Sequence, residues 1–259
     1  MDKDRLRQAA VVAGVVTGLV SGATGDYGSA GESESLVLPA DYAFTIWFPA
    51  YAGSLAYAWH QARPSRRRDR VLRRTGWPAA LAFLTAGLWV RTDPVDALWL
   101  TEAVMAATMA SAACALARLG PAVDADRAER WLVHAPIGLF AGWITLATVA
   151  NMAEALLAND IRELAGLGPQ AWAVVALLAA GGIASGTTLR TCASLAYPAA
   201  VVWGLVAAAA QQLPRSVAAG ATAAVMAGLV AAAGWRSARP RTPSASAGPW
   251  VGGPAAAAG

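Results

Sequence analysis

Apolar residues crowd into eight stretches of this chain, separated by short segments rich in Arg, Gly, Pro and Asp. A helix rises ~1.5 Å per residue, so a run of about 20 apolar residues matches the ~30 Å hydrocarbon core of a bilayer. The pattern predicts spans at residues 8–25, 43–61, 76–92, 97–117, 131–157, 171–189, 192–210 and 217–235. It reads as an all-α, polytopic membrane helical bundle, followed by a Pro-, Ser-, Gly- and Ala-rich tail (236–259) expected to be disordered.

Composition supports this reading. The 259 residues are 57% hydrophobic and 14% charged, against roughly 25% charged in soluble domains. All but three of the 20 basic residues fall on alternate connections: the N-terminus, the 62–75 loop with seven arginines, the 118–130 loop, Arg190, and the tail from Arg236. Only Arg91, Arg162 and Arg215 fall on the other side. Under the positive-inside rule this split predicts both termini in the cytoplasm. The Ala- and Arg-heavy, Lys-poor usage points to a bacterial plasma (inner) membrane. Ser21-Gly-Ala23 loosely resembles a cleavage site, but Asp2 and Asp4 weaken the preceding positive region.

Charge also excludes some chemistry. Lys3 is the only lysine and lies in the N-terminal tail, so no retinal-type Schiff base forms inside the bundle. A pI near 9.5 carried by loop arginines speaks to lipid headgroups and not to nucleic acid. Cys114 and Cys192 fall near span ends and make neither a structural disulfide nor a metal site. His60 and His134 also lie at span ends, away from the deep facing positions that would ligate a haem iron. No phosphate loop, zinc motif or nucleophile–base pair is evident, so no catalytic residue, metal or cofactor is assigned.

Two stripes carry the candidate chemistry. In the fifth span Trp143, Ala147 and Asn151 lie four residues apart, hence on one helix face. The stripe reads aromatic plate, small gap, amide: Ala147 beside Trp143 leaves a slot for a flat molecule. The buried Asn151 needs a hydrogen-bond partner. In the second span Trp47 and Tyr51 are one turn apart and stack on one face, with Pro49 between them. Glu102, about two turns into the fourth span, is expected to snorkel or to pair with Arg91. Small-residue seams at Gly14/Gly18/Gly22, Gly138/Gly142 and Gly182/Gly186 read as helix packing. Trp59, Trp77, Trp99, Trp131, Trp172 and Trp235 sit near span ends as interfacial anchors. The first Arg-poor loop, Asp26 to Pro39, carries Asp26, Glu32 and Glu34, and is long enough to act as a lid.

The sequence resembles the TspO/MBR family, the tryptophan-rich sensory proteins related to the mitochondrial translocator protein. The resemblance rests on Phe44-x-x-Trp47-x-x-x-Tyr51 and on Trp143-x-Thr145-x-Ala147-Thr148-x-x-Asn151, with Pro136 ahead of the second motif. It implies a five-helix bundle over residues 1–157, with 158–235 as three additional membrane helices. It also implies a pocket lined by Trp47, Tyr51, Trp89, Trp143, Ala147 and Asn151, covered by the first loop. The implied partner is a hydrophobic small molecule, porphyrin-type or sterol-like, besides the lipid bilayer, with a homodimer left open. The implied function is a membrane receptor or sensor. The alternatives are a porphyrin-degrading enzyme and a secondary transporter of a small hydrophobic solute. The third-helix asparagine usual in the family has no counterpart here, where Thr85 and Ala86 stand.

Overall fold

The computed structural model describes residues 2–25, 33–92, 98–122, 125–163, 165–191 and 194–239. Asp26, Glu32, Cys192 and the tail from residue 240 lie outside them. The described residues form eight long helices: α1 (Lys3–Thr24), α2 (Trp47–Ala62), α3 (Arg70–Trp89), α4 (Leu98–Leu119), α5 (Arg127–Ala158), α6 (Pro169–Thr191), α7 (Ala196–Gln212) and α8 (Val217–Ala238). Each corresponds to one expected span. Five of them (α1, α4, α5, α6 and α8) are long and apolar enough to cross a membrane unaided. The 16-residue α2 and 17-residue α7 are shorter than a full crossing. A 3₁₀ turn over Asp41–Ile46 extends α2, and α3 opens on Arg70, Arg73 and Arg74.

Local chemistry sets the ends. Asp69 caps α3 by accepting from the Val71 and Leu72 amides (2.9 and 3.2 Å). Asp126 caps α5 through the Glu129 amide (2.7 Å); that bond holds its carboxyl below the usual range. Ser216 caps α8 through Ala219 (3.3 Å). Near its start α5 widens into a π turn at Arg130–His134, just before Pro136. A proline there cannot donate to the carbonyl one turn back, and its ring pushes that carbonyl away.

The helices form two rings that share α5. Around the first, neighbours run α1, α3, α4, α5, α2 and back to α1. Around the second they run α5, α7, α8, α6 and back to α5. Close approach needs glycine where helices nearly touch. A Cβ on Gly14 would lie 2.6 Å from the Ala80 carbonyl of α3. One on Gly142 would collide with the Tyr197 carbonyl of α7, and one on Gly138 would sit 2.5 Å from Ser194 Oγ. The expected seam at Gly182 and Gly186 is different: both face open space. The buried line of α6 runs instead through Ala173, Ala176, Leu177, Ala180, Gly181 and Ala184, with Gly181 against Met226 of α8. A shift of one residue turns Gly182 away from the ring.

The two ends differ chemically. At the Arg-rich end the buried Arg7 donates to Gln61 Oε1 (3.2 Å) and to the Leu72 and Arg67 carbonyls (both 3.1 Å). Gln8 Nε2 donates to the Gln61 carbonyl (2.5 Å) and Gln61 Nε2 returns a bond to the Gln8 carbonyl (3.0 Å). These bonds stitch α1 to α2 and α3. His60 and His134 are buried here, and His134 Nε2 lies 3.3 Å from Glu129. At the Arg-poor end Arg91 donates to Thr24 Oγ1 and Arg162 pairs with Glu34. Trp59, Trp77, Trp99, Trp131 and Trp235 are 46–74% exposed on the bundle surface. Trp172 is half-buried at a cleft beside residues 34–37.

Candidate ligand site in the first ring

The shared helix α5 changes character along its length. Residues 140–146 are buried on every face: Phe140, Trp143, Ile144 and Leu146 are all packed. Towards the Arg-poor end Ala147, Thr148, Val149, Asn151 and Met152 become half-buried. A helix flanked by neighbours on both sides therefore retains accessible surface in this half.

Aromatic groups gather where the change occurs. Trp47 and Tyr51 stack with ring centroids 5.1 Å apart and planes 19° apart, as their one-turn spacing requires. The Trp47 ring meets Trp143 at 6.2 Å and 81°, edge to face. Phe44 approaches Trp143 at 5.7 Å and 83°. Trp143 is 2% exposed and packs with Ala200 and against Gly204 of α7. The slot expected beside Trp143 is thus filled: the two indoles touch, and the missing side chain of Gly204 leaves room for Leu146 and, next to it, the Trp143 ring. Its Nε1–H has no hydrogen-bond partner among the described residues.

Open space lies on the other side of Trp47. A narrow crevice, open to the exterior, is bordered by residues of four helices. These are Val15, Gly18 and Leu19 of α1, Trp47, Tyr51 and Ser54 of α2, Phe83, Ala86 and Val90 of α3, and Phe140 of α5. Of the six residues expected in a pocket, Trp47 and Tyr51 border this crevice. Trp89, Ala147 and Asn151 are half-buried in the same half of the ring, and Trp143 is sealed away. Phe83, Phe140, Val15 and Leu19 were not singled out in the sequence, because a lone aromatic or aliphatic residue in an apolar span carries no distinguishing signal; Gly18 was read only as part of a packing seam.

A polar group crosses the ring beside the aromatic one. Trp89 Nε1 donates to Asn151 Oδ1 (2.7 Å), and Asn151 Nδ2 donates to Glu102 Oε1. The bonds link α3 to α5 and α5 to α4, although α3 and α5 are not neighbours in the ring. Glu102 is 7% exposed and faces Asn151; the expected pairing with Arg91 does not form, and Arg91 donates to Thr24. Deeper along the same helices Thr108 Oγ1 donates to Thr85 Oγ1 (2.9 Å). Tyr197 and Trp203, the aromatic groups of α7, are engaged in the junction: Tyr197 with Thr145 (3.2 Å) and Trp203 Nε1 with the Ala43 carbonyl (2.9 Å).

The chain matches the TSPO-like protein family over residues 9–235. It belongs to that family. The resemblance carried by the motifs of the second and fifth spans agrees with this match, and the protein is a multi-pass membrane protein of the sensor and binding class. The matched region runs through all eight helices, α6–α8 included. No curated protein and no solved structure gives a match.

Proposed function

We propose that this protein is a membrane sensor binding a flat hydrophobic ligand, a porphyrin-type tetrapyrrole or a sterol-like molecule, in the Arg-poor half of the first ring. The observation carrying this reading is the stacked Trp47–Tyr51 pair on the border of an open crevice. An aromatic wall offers a planar guest stacking beyond simple area burial, and each Å² of apolar surface removed from water contributes roughly 25 cal/mol. Trp89, Asn151 and Glu102 form the polar pole that orients the ligand's hydrogen-bonding edge. The charge asymmetry supports reading both termini as cytoplasmic in a bacterial cell, with this half towards the outside.

The test is a titration of the detergent-purified protein with protoporphyrin IX, followed by tryptophan fluorescence. Saturable quenching is expected for the wild type. Tyr51→Ala and Trp47→Leu should each weaken binding at least ~10-fold, equivalent to about 1.4 kcal/mol. Unchanged affinity in both variants would remove this site from consideration.

A further inference from the structure

The connection from α1 to α2 joins two helices of the first ring, yet its described half is fastened largely to the second. Residues 33–40 run without regular secondary structure, but Ser35 and Val37 are only 2% and 1% exposed and Leu38 packs with Ala150 of α5. Carbonyls buried in such a segment need donors from elsewhere. The corner between α7 and α8 supplies them. Gln212, fully buried, donates from Nε2 to the Ser35 and Leu38 carbonyls (3.2 and 2.8 Å). Arg215 donates from Nη1 to the Ser35 carbonyl (3.0 Å) and from Nη2 to the Ser33 carbonyl (2.7 Å). The Ala40 amide donates to the Ala207 carbonyl (3.2 Å). From the shared helix and its following loop, Glu154 accepts from Ser33 Oγ (2.6 Å) and Arg162 pairs with Glu34.

The charge pattern singles out the same place. Arg91, Arg162 and Arg215 are the three basic residues that depart from the Arg-rich side. All three bond this connection or the helix end that feeds it. A cation on the side that the distribution otherwise keeps free of them is explained by a local task, and for Arg162 and Arg215 the task is holding one strap.

We propose that Gln212 and Arg215 are positioning residues for the ligand site of the first ring. From the second ring they latch the 33–40 strap across the Arg-poor end of α5, and so limit passage from the aqueous side to the half-buried surface at Ala147. The inference rests on the reading of that half as the ligand site, but its test needs no ligand.

Two readouts in lipid nanodiscs decide it. The first is amide hydrogen exchange of residues 33–40, expected to be slow in the wild type. In Gln212→Leu/Arg215→Ala it should rise at least ~10-fold, with α3 and α5 unchanged. The exposed Arg215→Ala alone should give a smaller rise, and Arg215→Lys, which keeps a donor, should recover part of it. The second readout is labelling of Ala147→Cys by a water-soluble maleimide in a Cys114→Ser/Cys192→Ser background. The rate should rise ~10-fold when the latch residues are replaced. Unchanged exchange at the strap overturns the latch, and faster exchange with an unchanged labelling rate overturns its control of access. Failure of protoporphyrin to bind the wild type would instead count against the ligand reading, leaving both readouts in force.

Discussion

The two rings are built from different materials around one shared helix. Where α6 meets α8, the second ring is packed mostly by small residues: Ala173, Ala176, Ala180 and Ala184 of α6 meet Ala219, Ala223 and Ala227 of α8, with Leu177, Val230 and Met226 filling between. The first ring uses large and polar groups, including Phe83, Phe140, Tyr57, Trp47, Trp89, Glu102 and Asn151. Small side chains let helix backbones close up and leave little between them. Bulky rings of irregular outline hold helices apart and leave crevices where their edges fail to mesh. The difference explains why the aromatic and polar groups of the proposed site gather in the first ring.

The junction of the rings should be the most sensitive place. Trp143→Ala empties a fully packed site facing α7, and a loss of about 3–5 kcal/mol is expected on the scale of buried aromatic truncations. Unfolding followed by circular dichroism in mixed micelles measures it. A small loss there would mean that the rings are held together elsewhere. Gly142→Ala tests the same junction by overfilling it. Its methyl meets the Tyr197 carbonyl backbone, which cannot swing aside, so a cost of about 1–3 kcal/mol is expected in the same assay.

The polar pole should matter less for stability. Trp89→Phe removes one donor and leaves Asn151 with Glu102, so the expected loss is about 1 kcal/mol, in line with interhelical hydrogen bonds in membranes. A loss several times larger would give the first ring a polar core in place of a polar site. Gly182→Ala belongs at the bottom of the scale. Nothing lies within 4 Å of the added methyl, so melting should stay within ~0.5 kcal/mol of wild type or improve slightly, since alanine is the better helix former. A marked loss would show that this face of the second ring is covered by another molecule.

The eight helices were legible because bilayer thickness and arginine placement constrain a chain strongly, and the caps at Asp69, Asp126 and Ser216 follow ordinary rules. Stacking of Trp47 on Tyr51 was legible because it is local, one turn along one helix. What could not be read is tertiary. Whether Trp143 looks into a slot or into α7 depends on how α5 meets α7, where Gly204, 61 positions away in sequence, makes room for Leu146 and lies against Trp143. Glu102 accepts from Asn151 and not from Arg91, which donates to Thr24, and both partners are set by tertiary packing. The Gly182/Gly186 repeat has the spacing of a packing seam, but spacing alone does not say which face of α6 meets α8. Nor does any pattern in residues 33–40 announce that their hydrogen-bond donors come from Gln212 and Arg215.

Filling the crevice beside Trp47 and Tyr51 tests most directly whether the proposed ligand occupies it. Ala86 borders the crevice from α3, whereas Gly182 faces open space on the second ring. Protoporphyrin titrations of Ala86→Phe and Gly182→Phe should give a loss of saturable quenching in the first and wild-type affinity in the second. Equal, undiminished binding by both would place the guest elsewhere and contradict the account.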